Sequence, residues 1–109
     1  MAIIRYIQNW GGKLDEEEFT TIRSWSPEKE RFYRDNIGYN FSHLVAGKKY
    51  TEAYLREVEL KKFSEIPPSV LIKDTGLMDM EKIREVFRAF GIEEDGPCLI
   101  LKFSKRGRP

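Results

Sequence analysis

The run Pro97 to Phe103 (PCLILKF) is apolar on both faces apart from Lys102, and it constrains the chain more than any other stretch. Successive side chains of a strand point to opposite faces, so a strand apolar on both belongs near the centre of a sheet or barrel. Two further segments, Glu18 to Trp25 (EFTTIRSW) and Leu55 to Pro67 (LREVELKKFSEIP), read as strands with a polar or basic edge. Together the three indicate a small mixed β-barrel with its chemistry on one rim.

The remaining segments fit around that frame. Ala2 to Gln8, with Ile3, Ile4, Tyr6 and Ile7, reads as a first strand, broken by Gly11-Gly12 ahead of the acidic stretch Asp15 to Glu18. Within Phe19 to Trp25 the alternation sets Phe19, Thr21, Arg23 and Trp25 on one face and Thr20, Ile22 and Ser24 on the other. Ser26-Pro27 ends that strand, and Pro27 to Asn36 is a charged connection with a helical turn around Phe32 and Tyr33. Ile37, Tyr39 and Phe41 alternate with Gly38, Asn40 and Ser42, and Ala46-Gly47-Lys48-Lys49 reads as a hairpin turn into Tyr50 to Lys62.

Ser64 is placed to cap a short helix within Phe63 to Ile72, in which Pro67 and Pro68 are tolerated only in the first turn. Asp74-Thr75-Gly76 reads as a turn. From Asp79, the spacing of Met80, Ile83, Phe87 and Phe90 predicts an amphipathic helix that Gly91 stops. The order is strand, strand, hairpin, short helix, amphipathic helix, strand, an α+β pattern. The expectation is one domain over 1–104 and a basic tail over 105–109.

A length of 109 residues supports one core, and 40% hydrophobic against 34% charged residues is a globular composition. The net charge of +1 excludes a protein that coats nucleic acid by bulk charge, so any such binding has to come from a local patch. Cys98 is the only cysteine; it can form no internal disulfide and reads as a small buried hydrophobe, which fits a reducing, intracellular setting. With no leader pattern and no apolar run near the roughly 20 residues of a membrane span, a cytoplasmic protein with no membrane partner is expected. His43 is the only histidine and has no acidic or thiol neighbours at ligand spacing, so no metal and no cofactor is expected and the residue reads as structural.

The residues resemble the ASCH group of the PUA-like superfamily, small β-barrels associated with RNA. Thr20-Thr21-Ile22-Arg23 is similar to a Thr-rich strand ending in Ile-Arg. Arg56 to Pro67 (REVELKKFSEIP) looks like the following strand and short helix, and Gly96 to Gly107 (GPCLILKFSKRG) like the closing strand. Asp79 to Gly91 occupies the place of the last helix. Where the family has a Gly-Lys-Thr lead-in, this chain has Glu17-Glu18-Phe19; where it has a Gly-Asp turn, this chain has Arg34-Asp35-Asn36. Some relatives are amidohydrolases of acetylated cytidine that use a Lys, a Thr and a Glu. The resemblance puts the threonine on Thr21, the lysine position on Glu18 and the acid near Asp74 or Glu81.

The candidate site residues follow. Arg23 suits a phosphate or a stacked base, or else an ion pair with Asp15 to Glu18. Trp25 and Tyr33 are stacking platforms or core aromatics. Arg34, Lys48 and Lys49 are phosphate contacts or ordinary surface cations. Thr21 needs a base to act as a nucleophile, and Lys13 and Asp74 are the nearest plausible partners in sequence. Lys105-Arg106-Gly107-Arg108-Pro109 resembles an AT-hook core or is a basic tail that adds phosphate affinity through Arg106 and Arg108. The leading expectation is a domain that binds RNA or single-stranded nucleic acid at a rim around Thr21, Arg23 and Trp25. The alternatives are a small hydrolase acting on a modified nucleoside through Thr21 and Asp74, and a protein-interaction module.

Overall fold

A computed structural model describes residues 2–106. Five strands form one mixed sheet: β1 (Ala2–Tyr6), β2 (Glu18–Ser24), β3 (Asn40–Val45), β4 (Lys48–Lys62) and β5 (Pro97–Ser104), in the order β1-β3-β4-β5-β2. β1 runs parallel to β3 and every other pair is antiparallel. Strands β1 and β2, consecutive in sequence, are therefore the two edges. The fold is α+β, as the element order implied.

β4 spans 15 residues because it serves both halves of the sheet, its start pairing with β3 and its end with β5. A register shift between Leu55 and Glu57 lets it bend there. β5, pairing on both edges, separates two apolar clusters. Leu99, Leu101 and Phe103 join Ile4, Tyr6, Leu14, Phe19, Phe41, Leu55 and Val58 on one face. Cys98 and Ile100 join Ile22 and the helices' Leu71, Ile83 and Phe87 on the other. Both faces of Cys98 to Phe103 are thus covered, with Lys102 and the leading Pro97 exposed.

Three helices follow from local signals. α1 (Pro27–Asp35) is longer than the single turn expected, because Ser26 Oγ accepts from the Lys29 amide, Pro27 opens the first turn and Glu30 pairs with Arg34 one turn on. α2 (Pro68–Thr75) begins at Pro68; Ser64 does not cap it but donates to Asp95 from a separate 3-10 turn, Phe63–Glu65. Asp74 and Thr75 belong to this helix rather than to a turn, and Gly76 ends it in the left-handed region at φ 75°. α3 (Met80–Ala89) starts at Asp79, whose side chain accepts from the Glu81 amide, and buries Ile83 and Phe87. The β3–β4 turn is Ala46-Gly47, both at positive φ, so Lys48 and Lys49 lie in β4 and not in the turn.

No helix among the described residues is long and apolar enough to cross a membrane.

Candidate active site

The sheet curls so that its two edges approach at one end, where Arg23 Nη2 of β2 donates to the Arg5 carbonyl of β1 at 2.8 Å. A cavity of about 470 Å³ opens beside this contact. Tyr6, Lys13, Thr21, Arg23 and Asp74 are among its polar groups, Arg5 and Lys29 line it too, and Trp10, Phe87, Phe90 and Ile92 form its apolar wall. Trp10 and Phe90 meet edge to face, 6.2 Å between centroids. An apolar cavity with a few convergent polar groups is the usual form of a small-molecule site.

Lys13 and Asp74 are the deepest charges. Lys13 is 5% exposed and Asp74 4%, and Lys13 Nζ lies 3.1 Å from Asp74 Oδ1. Thr20 Oγ1 donates to the same carboxylate oxygen at 2.8 Å. Burial pulls the Lys13 amine below its ordinary range, and Asp74 pulls it partly back. Burial also pushes the Asp74 carboxyl up, against the Lys13 charge. Loss of the proton from Lys13 is therefore easier than from a surface lysine. Two glycines bring these residues together. Gly11 and Gly76, both at positive φ, pack backbone to backbone, and a Cβ on Gly11 would lie 2.7 Å from the Gly76 Cα. That contact holds the 3-10 segment Trp10–Asp15, which carries Lys13, against the end of α2, which carries Asp74.

Thr21 is 3% exposed, and Arg23 Nε donates to its Oγ1 at 3.2 Å. Arg23 also lies over the Tyr6 ring, 4.9 Å from the centroid, so it forms no ion pair with Asp15 to Glu18. Its place is fixed by Thr21, Tyr6 and the Arg5 carbonyl. The Tyr6 phenol hydrogen-bonds His43 Nδ1 at 2.9 Å, and burial raises its pKa well above the ordinary tyrosine value.

His43 is fully buried against Phe19 and Phe103, and its Nε2 makes no hydrogen bond of good geometry among the described residues. Burial, with Arg23 next, lowers its pKa to about 4. A histidine that resists its proton only in the folded state destabilises the fold once the unfolded chain can bind that proton. Stability is therefore expected to fall by up to about 3 kcal/mol as pH drops from 6.5 toward 4. Urea unfolding across that range checks it. His43→Gln, which can accept from Tyr6 without titrating, should flatten the slope; an equal slope in both proteins would clear His43 of the effect.

The other sequence candidates do not gather here. Trp25 Nε1 donates to Glu30, and Arg34 pairs with Glu30 and donates to the Val58 carbonyl. Tyr33 stacks on Phe41 over the first apolar cluster. Lys49 pairs with Glu52, and Lys48 is exposed at the start of β4. Arg106 lies 4.0 Å from Glu17, and Arg108 falls outside the described residues. Glu81 pairs with Arg84 on the surface. Glu18, the resemblance's lysine position, lines a second depression of about 420 Å³ with Glu16, Lys73 and Lys102, which also reaches Lys13 and Thr20.

Among the described residues no group of three or more His, Cys, Asp and Glu is placed to hold a metal ion. No protein-family model, no curated protein and no solved structure matches the chain.

Proposed function

We propose that the chain is a PUA-like barrel of the ASCH type and a small amidohydrolase that cleaves an acyl group from a modified nucleoside such as acetylated cytidine. The observation that carries this reading is the convergence of Lys13, Thr21, Arg23 and Asp74 on one cavity. Lys13 stands in for the lysine that the resemblance put at Glu18, and Asp74 supplies the acid.

In this reading the neutral Lys13 amine takes the Thr21 hydroxyl proton as Oγ1 attacks the acyl carbon. Arg23, already donating to Oγ1, stabilises the negative charge that develops beside it. The tetrahedral intermediate expels the amine, which leaves with the proton from Lys13. Water, deprotonated by the again neutral Lys13 amine, then attacks the Thr21 ester; Oγ1 leaves, takes the proton back from Lys13 and is a hydroxyl again, and the carboxylic acid is released. Asp74 holds Lys13 in place throughout.

The test is chromatographic turnover of N4-acetylcytidine to cytidine and acetate. Thr21→Ala is expected to lower kcat by at least about 10³-fold. Because Lys13 must be neutral, the rate should rise with pH and level off below the ordinary lysine pKa of 10.5. Wild-type protein that leaves the substrate intact from pH 6 to 10 would refute the reading.

A second reading is binding of RNA or single-stranded nucleic acid at the same opening, favoured by the cations Arg5, Arg23 and Lys29 that border it. Fluorescence anisotropy with short single-stranded RNA over a salt series separates the two, since phosphate-driven binding weakens linearly in log affinity against log salt.

A further inference from the structure

We propose that the mouth of the cavity is an anion subsite for a phosphate monoester, so that the ligand is a phosphorylated small molecule rather than a neutral one. The inference rests on the small-molecule reading of the cavity given above.

Four cations line the cavity, Arg5, Lys13, Arg23 and Lys29, against the single carboxylate of Asp74. Asp74 is matched by Lys13, which leaves three positive charges around the opening of a chain whose net charge is only +1. None of the three has a carboxylate within ion-pair distance among the described residues. The nearby Glu30 is taken up by Trp25 and Arg34. Like charges gathered without counter-charge repel one another, and an anion bound among them would relieve that repulsion.

The donors are also available. Arg23 uses Nε on Thr21 and Nη2 on the Arg5 carbonyl, which leaves Nη1. Lys29 Nζ donates once, to Ser24 Oγ at 2.7 Å, with two protons to spare. Arg5 is exposed, and among the described residues its guanidinium makes no hydrogen bond or ion pair. Three cations match a monoester, which carries nearly two negative charges at neutral pH, better than an internal phosphodiester with one. Arg23 belongs to both places: it touches Thr21 inside and the rim outside, so a bound phosphate would fix the reacting end of the ligand relative to Oγ1.

Isothermal titration calorimetry at low salt with cytidine, cytidine 5′-monophosphate and ribose 5-phosphate tests the subsite without turnover. The monophosphate should bind about 10–100-fold tighter than cytidine, ribose 5-phosphate should bind measurably, and Arg5→Gln/Lys29→Gln should remove most of the preference. Both positions are exposed, and circular dichroism verifies that the variant folds. Equal affinity for cytidine and its monophosphate overturns the subsite, as does a preference the variant keeps. Binding of a 5′-phosphorylated oligoribonucleotide with none of the monophosphate overturns it too. Phosphate-dependent binding without hydrolysis of the acetylated nucleotide would leave the subsite standing and remove the amidohydrolase. Hydrolysis indifferent to phosphate would do the reverse.

Discussion

Asp74→Ala is expected to lower folding stability by about 3–5 kcal/mol, because it strands the Lys13 charge in a site where that side chain is 5% exposed. It also removes the acceptor of Thr20. Against a total stability of about 5–15 kcal/mol this is a large share, and it shifts the melting temperature by on the order of 20 °C. The double variant Lys13→Met/Asp74→Leu should recover most of the loss, since an apolar pair of similar volume is often neutral or better than a buried ion pair. Urea midpoints of the single and double variants measure both. A single-variant loss under about 1 kcal/mol would mean that water reaches Lys13 in solution. The same comparison separates roles, because a stable double variant without turnover leaves the pair needed for chemistry and not for folding.

Phe103→Ala is expected to cost a comparable 3–5 kcal/mol. The ring sits on β5, fully buried, with centroids of Phe41, Phe19 and His43 at 5.3, 5.7 and 4.5 Å. Truncation removes contacts to three rings on two other strands, β2 and β3, and neighbours held at several points cannot close the void. Chemical unfolding gives the number; a loss near that of an exposed aromatic such as Phe32 would show that the cluster repacks.

The parts of the fold that were legible are those where one segment carries the whole signal. Pro97 to Phe103 is apolar on both faces and lies between β4 and β2; Asp79 and Gly91 bracket a helix whose buried side chains are Ile83 and Phe87. The alternation in β2 put Thr21 and Arg23 on one face, and they are joined there by a hydrogen bond. Lys13 was named only as a neighbour of Thr21. A lysine between a glycine pair and an acidic stretch carries no local sign of burial. Its environment is made by Asp74, 61 positions away, and by a backbone contact that needs two left-handed glycines. Asp74-Thr75-Gly76 has the composition of a turn, but Gly76 is the residue that stops α2, and Asp74 lies inside that helix. The grouping of Arg5 with Arg23 depends on strand order, which no short stretch encodes, whereas Lys29 is carried there by the local turn from β2 into α1.

That strand order also governs when the sheet can be completed during synthesis. β1 and β2 leave the ribosome early, yet strand pairing links them only through β3, β4 and β5, and β5 is the last of these to be made. A chain that stops before Pro97 has every cavity residue and no strand to connect β4 with β2, so the sheet that sets its two edges against each other is complete only once β5 has been made.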